Sequence, residues 1–331
     1  MNKTWLIYAL GGGWGHLNRA LSLGRIAAQY INVRIITNSP YVQQVSHEGC
    51  SLDWIPDDAG FSKTCLQVKQ ILLTTKHDCL IVDTFPRGLG GELADILPEL
   101  KFIPKILIHR DLNPKYITAK NLQNFVAANF DSVIVPGEGK DLGLANLPIV
   151  HHTAPWLIRN PEELPERNTT RSRILRVEAT VNTILVCAAG NVSELDIFSQ
   201  ITLRLQQEFP QCAVRILAHA CPVNCPETLW VNHHPGIECF AAADVVIGGA
   251  GYNTVYECAA VGVPLIALAF PRLYDRQAKR ARKSYYVQNI EQAIAIVRIL
   301  LNQLKTAKKQ SISTYINGAV QAVEQIMSYK L

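Results

Sequence analysis

Residues 244–247 (DVVI) and 263–270 (VPLIALAF) are short apolar runs rich in β-branched side chains, and each is broken by glycine, proline or polar residues. A strand with no polar face must be covered on both sides, which a parallel sheet between two helical layers provides. Residues 248–251 (GGAG) leave the backbone nearly bare after the first run, and a helix-like segment follows with Asn253 or Thr254 as its cap and Glu257 a turn further in. Such a helix start behind small residues is a phosphate seat, because unpaired N–H groups and the helix dipole both favour an anion there. Asp275 and Gln277 follow the second run, so two carboxylates and an amide are expected at one sheet edge, facing one crevice.

The same strand, loop and helix pattern recurs along the chain. Residues 4–10 read as a strand that opens into GGGWGH, where Gly11, Gly12, Gly13 and Gly15 form a tight loop and His16 sits at the turn into a helix. A dinucleotide fingerprint is a poor fit: His16 stands where the third glycine belongs, and the next strand, 33–37, ends at Asn38 instead of an acid for a ribose. There is no Gly-Lys-Ser/Thr, so a Walker loop is excluded. Residues 79–83 (CLIVD) form a buried strand ending in Asp83, which either orients and charge-balances His16 or caps a loop. His109, Arg110 and Asp111 make another polar cluster after a strand at 106–108, and 131–136 is a further strand. Later come a strand at 183–187, a small-residue loop with Gly190 and Asn191, and a helix over 193–208 with Ser193 as its cap. Strands at 214–218 and 229–231 and a short helix at 237–243 lead back to the first run. Alternation of this kind predicts doubly wound α/β sheets.

At 331 residues the chain exceeds what one core usually holds, so two domains are expected. Residues 159–173 (RNPEELPERNTTRSR) carry two prolines and no apolar period and read as the linker between domains at 1–158 and 174–310. The tail, 311–331, predicts a last helix from 311 to 329 that returns to the first domain, with Ile312, Tyr315, Ile316, Ala319, Val323 and Ile326 on one side. KRARKSYY after Gln277 reads as a basic helix end, either a solvated face or a place for anionic headgroups. The net charge of +5 comes without a basic block interleaved with aromatics, which argues against a nucleic-acid partner. Nine scattered cysteines suit free thiols in a reducing cytoplasm. Cys221, Cys225, His233 and His234 are the one grouping that invites a metal, but a C-x3-C followed by adjacent histidines lacks finger spacing, so no metal is expected. The apolar run from Trp5 is halted by glycines and reads as a strand, not a signal peptide. No run is long enough for a membrane helix, so any membrane contact, at the inner face, is expected to be peripheral.

GGGWGH, the later PGIECFAAADVVIGGAGYNTVYE and the DRQ beyond it resemble the GT-B glycosyltransferases, especially the MurG-like group and its UDP-glycosyltransferase cousins. The resemblance implies two Rossmann-like domains facing a central cleft, with a nucleotide-diphosphate sugar, UDP-linked first, held mainly by the second and an unidentified acceptor by the first. It implies that residues 249–254, with Gly249, Ala250, Gly251, Asn253 and Thr254, seat the diphosphate. Glu257 would take the ribose hydroxyls, and Asp275 and Gln277 the sugar. Gly13, Gly15, Gly190 and Asn191 would border the donor. His16, with Asp83, would act as base or acceptor-site residue in an inverting transfer that needs neither metal nor cofactor. Two features depart from the family: little room remains between Gln277 and the next helix near Glu291, and Gly190-Asn191 replaces a fuller glycine-serine loop. No strongly apolar surface helix stands out in the first domain, so a lipid acceptor does not follow. The glycine loop with HLNRALSL also resembles the UDP-sugar hydrolase PseG, which keeps hydrolysis or epimerisation open beside transfer, as does simple nucleotide-sugar binding.

Overall fold

A computed structural model of the chain describes residues 3–56, 60–139, 141–304 and 314–329. It separates into two compact units, one of Met1–Ile158, Leu273–Asp275 and Ile316–Leu331, the other of Arg159–Arg272 and Arg276–Tyr315.

The first unit contains, in chain order, β1 (Thr4–Tyr8), α1 (Trp14–Ala27), β2 (Asn32–Thr37), β3 (Ser51–Trp54), α2 (Phe61–Thr74), β4 (Cys79–Asp83), β5 (Lys105–Ile108), α3 (Pro114–Ala119), α4 (Leu122–Asn129), β6 (Ser132–Pro136) and β7 (Val150–Thr153). The strands are all parallel, in the order β3-β2-β1-β4-β5-β6-β7. Leu6, Tyr8, Leu80, Val82, Leu107 and Val133 point to one face and close a core with Leu72, Leu97 and Val126. The outermost strands, β3 and β7, are short, polar and partly exposed, as edge positions allow, which is why the apolar pattern does not announce them. The order reverses between β1 and β4, so the loops leaving the carboxyl ends of these two strands diverge and leave a crevice. α2 exposes Phe61, Leu66 and Leu73, a partly apolar surface that its sequence pattern did not single out.

The carboxy-terminal helix, Gly318–Ser328, packs against α1 and β7. It is shorter than expected: residues 311–313, with Ile312, lie outside the described residues, and Tyr315 and Ile316 precede the helix, Ile316 being exposed. Asn317 sets its start, since its Oδ1 accepts from the N–H groups of Ala319 at 3.0 Å and Leu157 at 3.1 Å, and its Nδ2 donates to the Leu157 carbonyl at 2.8 Å.

The second unit contains α5 (Arg167–Thr170), β8 (Thr183–Cys187), α6 (Val192–Glu208), β9 (Ala213–Leu217), β10 (Trp230–Val231), α7 (Gly236–Ala242), β11 (Val245–Gly249), α8 (Tyr252–Ala260), β12 (Leu265–Leu268), α9 (Gln277–Ala281), β13 (Tyr285–Val287) and α10 (Ile290–Leu304). Its sheet is again parallel, in the order β10-β9-β8-β11-β12-β13, and reverses between β8 and β11. The stretch expected as a bare linker, 159–173, lies inside this unit and is gripped by it. Arg167 pairs with Asp244 at 2.7 Å and donates to the Ala241 carbonyl at 2.8 Å, and buried Arg171 donates to the Ala242 carbonyl at 3.0 Å. KRARKSYY is not one helix end: α9 stops at Ala281, and Tyr285 opens β13, whose backbone pairs with β12. α9 and β13 thus fit into the short interval before Glu291. Among the described residues no helix is long and apolar enough to cross a membrane.

A Cβ added at Gly318 would meet the backbone oxygen of Ala154 at 1.7 Å, so the last helix can approach β7 only with glycine there. Gly318→Ala is expected to cost about 1–3 kcal/mol, the usual penalty for overpacking, read as a lower midpoint in chemical denaturation. An unchanged midpoint would contradict this docking.

Candidate functional site

At the reversal point of the first sheet, β4 delivers Asp83 to the crevice and α1 delivers His16 and Arg19. His16 Nδ1 lies 2.6 Å from Asp83 Oδ2, and Arg19 grips the same carboxylate with two bonds, Nε to Oδ1 at 2.7 Å and Nη2 to Oδ2 at 2.6 Å. A further bond runs from Arg19 Nη2 to Thr84 Oγ1 at 3.2 Å. Asp83 and Arg19 are buried, while the His16 side chain keeps 15% of its surface. Burial by itself would raise the Asp83 pKa, but Arg19 and His16 together outweigh it and hold the carboxyl far below the ordinary range. Burial lowers the His16 pKa; Asp83 opposes that shift, and Arg19 and Arg110 add to it. The result is a neutral imidazole oriented by a permanent carboxylate, with Nε2 turned away from its orienting partner.

The glycine loop ahead of α1 is pinned by Asn38. Its Oδ1 accepts from the N–H groups of Gly11 at 2.8 Å and Gly12 at 3.0 Å. Gly12 has φ +62, a left-handed conformation that favours glycine, and a Cβ on Gly11 would stand 2.2 Å from the His16 ring. Gly13 is the N-cap of α1 in extended conformation with no side-chain cap, and Gly15 lies in the first turn. Trp14 stacks on Tyr41 with centroids 4.2 Å apart. On the other side, His16 stacks on Phe85 at 5.5 Å. His109, Arg110 and Asp111 are all buried after β5, and burial pushes the His109 pKa down to about 3 with Arg110 adding to the effect. Of these three, Arg110 reaches Asp275, with Nη2 to Oδ1 at 3.7 Å.

In the second unit the first two glycines of GGAG end β11 at that sheet's reversal point, and Ala250 and Gly251 make the loop. Gly251, in extended conformation, is the N-cap of α8 and contributes no side-chain bond, so the helix begins at Tyr252, and Asn253 and Thr254 stand in its first turn instead of capping it. A Cβ on Gly251 would meet nothing within 4 Å, which leaves the backbone open to approach. The loop itself is fixed from below: Ala250 N–H bonds the Leu268 carbonyl at 2.8 Å, and the Ala250 carbonyl accepts from buried Arg280 at 3.2 Å. Glu257 is buried in α8, close enough to Cys187 that, after burial itself, its charge helps push that thiol up to about 12.

The other helix start at this point, α6, is already closed. Asn191 Oδ1 accepts from Glu194 N–H at 3.0 Å, Glu194 Oε2 accepts from Asn191 N–H at 3.3 Å, and Arg272 Nη2 binds Glu194 Oε2 at 2.6 Å. Asn191, not Ser193, caps the helix. Gly190 makes room for this closure, since a Cβ there would fall 1.8 Å from Glu194 Oε2. Asp275 belongs to the first unit, while Gln277 is buried in the second, its Oε1 accepting from Phe270 N–H at 3.1 Å. All nine cysteines are free thiols, and among the described residues no three His, Cys, Asp or Glu side chains converge as a metal site.

Arg19, Asn38, Arg272 and Arg280 are residues that sequence reasoning missed. Arg19 is the most accessible of them, because a residue three positions after His16 shares its helix face. Asn38 was noted only for the acid it is not.

Residues 234–326 match the glycosyltransferase family 28 C-terminal domain. The chain is similar in structure to the glycotransferase of kitacinnamycin, at 13% identity and a TM-score of 0.64 with 99% of each chain covered. It is also similar to a glycosyltransferase of Streptomyces sp. complexed with thymidine diphosphate, at 15% identity and a TM-score of 0.61 over 98% of this chain and 99% of that one. MurG of Acinetobacter baumannii is a third such structure, at 14% identity and a TM-score of 0.55 over 98% of this chain and 99% of that one. No curated protein sequence matches. The fold is that of the GT-B glycosyltransferases.

Arg19→Met strands a buried carboxylate and is expected to destabilise the protein by about 3–5 kcal/mol in chemical denaturation; a loss under about 1 kcal/mol would contradict the clamp. The two titrations have opposite origins and the same sign. Asp83, with its lowered pKa, contributes stability above the ordinary carboxylate value and loses it as pH falls below that value. His16, also lowered, lets the unfolded chain take up its proton first, so stability again falls on acidification below the ordinary histidine value. Asp83→Asn removes the group that holds the His16 pKa up and should move the His16 NMR titration further down; an upward move would contradict the pairing.

Proposed function

We propose that this chain, a protein of GT-B fold that matches the glycosyltransferase family 28 C-terminal domain over residues 234–326, is an inverting glycosyltransferase that needs no metal. It moves a sugar from a nucleoside-diphosphate donor, UDP-linked first, to a hydroxyl acceptor. The observation that carries this reading is the open amino terminus of α8 behind the GGAG loop, inside the matched segment, with Glu257 buried one turn below it.

In this reading the N–H groups of the first turn of α8 receive the diphosphate, and the helix dipole offsets the charge that grows on it as the glycosidic bond to phosphate breaks. Glu257 takes the ribose hydroxyls. A carboxylate buried at 4% exposure, one turn below the start of α8, suits a group that pairs with donor hydroxyls. The α6 end is the weaker seat, because Glu194 already fills it with negative charge. Gly190 and Asn191 then border the donor only through their backbone, and Gln277 and Asp275 are assigned to the sugar.

His16 is the base. Its Nδ1–H donates to Asp83, which leaves the Nε2 lone pair to accept the acceptor's hydroxyl proton while the acceptor oxygen bonds to the anomeric carbon from the face opposite the departing diphosphate. Arg19 keeps Asp83 ionised throughout, so the carboxylate stabilises the imidazolium that forms. A single displacement of this kind inverts the anomeric centre. The Streptomyces glycosyltransferase complexed with thymidine diphosphate supports including a TDP donor beside UDP in any test.

Three outcomes check the reading. Glu257→Gln should weaken UDP binding by about 1–3 kcal/mol in titration calorimetry, and equal affinity would contradict the ribose role. His16→Ala should abolish acceptor-dependent release of the diphosphate without changing UDP affinity, whereas release with water alone at the wild-type rate would favour a hydrolase. Because His16 titrates below its ordinary value, the acidic limb of kcat/KM should lie below the ordinary histidine pKa; a limb at or above that value would contradict His16 as the base.

A further inference from the structure

Next to His16, within the first unit, lies an aromatic cluster that the base itself does not need. Phe85, stacked on His16 at 5.5 Å, meets the edges of Tyr116 at 6.5 Å and Tyr274 at 5.4 Å, and the two tyrosines touch at 4.9 Å with their rings 62° apart. Phe85 is buried, but both tyrosines are only half-buried. Tyr274 is not there by chance. Its carbonyl accepts from the Asn113 N–H at 3.0 Å, and the next residue, Asp275, forms a β-bridge with Leu112, so backbone bonds seat segment 273–275 against the loop after β5. Neither tyrosine hydroxyl has a hydrogen-bond partner among the described residues. Burial raises the Tyr116 pKa, and Tyr274 adds to it, so the Tyr116 hydroxyl remains a neutral donor and acceptor.

The charges around this wall are largely engaged. Asp83 is held by His16 and Arg19, and Asp275 faces Arg110. Arg87 lies over the Phe125 ring at 4.1 Å with its Nε bonded to the Lys120 carbonyl at 3.2 Å. Beside these groups the wall offers ring edge, ring face and two phenolic hydroxyls. A sugar acceptor with many hydroxyls would require several free carboxylates or amides, and a phosphorylated acceptor would require a free cationic cluster. A flat ring with one or two hydroxyls matches what is present, since aromatic rings pack edge to face and a tyrosine hydroxyl satisfies a single polar group.

Resting on the glycosyltransferase reading above, we propose that Phe85, Tyr116 and Tyr274 form the acceptor wall and select an uncharged aryl alcohol, with Tyr274 as the specificity-determining residue. The acceptor ring lies against the tyrosines, its hydroxyl reaches His16 Nε2, the O–H bond breaks to His16 as the O–C bond to the sugar forms, and the nucleoside diphosphate leaves.

The test uses the full-length protein with UDP- and TDP-glucose and three acceptors: 4-methylumbelliferone as aryl alcohol, methyl β-glucoside as sugar, and dodecyl phosphate as anionic lipid. 4-Methylumbelliferone is expected to be the preferred acceptor and to bind without donor, followed by its own fluorescence. Tyr274→Leu, which keeps the apolar volume, should raise its KM about tenfold, in line with the loss of an aromatic pair and a hydrogen bond, and leave UDP affinity as it was. Tyr274→Phe should keep most of the binding and shows whether a loss in the leucine variant comes from the ring or from misfolding. Preference for the glucoside or the phosphate, or an unchanged KM in Tyr274→Leu, would overturn the proposal. UDP binding, measured separately by thermal shift, reports on the donor reading alone, so failure of the aryl acceptor with UDP still bound strikes only the acceptor wall.

Discussion

A buried carboxylate, Asp83, is the constraint around which the first unit's site is built. Taking it out of water is costly, and it remains ionised because Arg19 meets both of its oxygens with a fork of donors and His16 meets one of them. Removing either partner would change the other, since the same carboxylate fixes the imidazole's orientation and balances the guanidinium. The sheet places the three groups together: Asp83 ends β4, and His16 and Arg19 lie one turn apart on the helix after β1, the strand beside it. Asn38, at the end of β2 on the other side of β1, pins the glycine loop that lets the His16 ring lie close over the backbone.

The second unit solves a related problem with the opposite result. Its sheet also reverses in the middle, and two helix starts meet there, each able in principle to receive an anion. Local sequence decides between them. At α6, Asn191 and Glu194 satisfy each other and Arg272 neutralises Glu194, so the backbone donors are occupied and the charge is already negative. At α8, glycine replaces any capping side chain, and buried Arg280 supports the loop by donating to the Ala250 carbonyl. A shared topology thus offers two seats, and one asparagine and one glutamate close the first.

Much of this was legible in the residues. β4 and β8 lie where their apolar runs placed them, because strands covered on both faces carry an uninterrupted signal, while the pairing of His16 with Asp83 was one of two readings that the sequence left open. The edge strands β3 and β7 were not legible, since a half-exposed strand of four residues has no pattern to distinguish it from a loop. β13 was hidden for a related reason: Tyr285 and Tyr286 follow a basic run that continues a helical reading, and only pairing with β12 makes them extended. The roles of Arg19, Arg280 and Arg272 escaped because an arginine reveals its partner only in three dimensions. The placing of Asp275 in the first unit depends on the backbone bonds of segment 273–275 to Leu112 and Asn113, which no local rule encodes.

The placement of the donor is decided by a crystal structure of the protein with UDP or TDP bound. The diphosphate is expected on the N–H groups at the start of α8, with the ribose hydroxyls within hydrogen-bond reach of Glu257. A diphosphate seated at α6, or on the glycine loop of the first unit, would contradict the assignment of α8 as the donor seat.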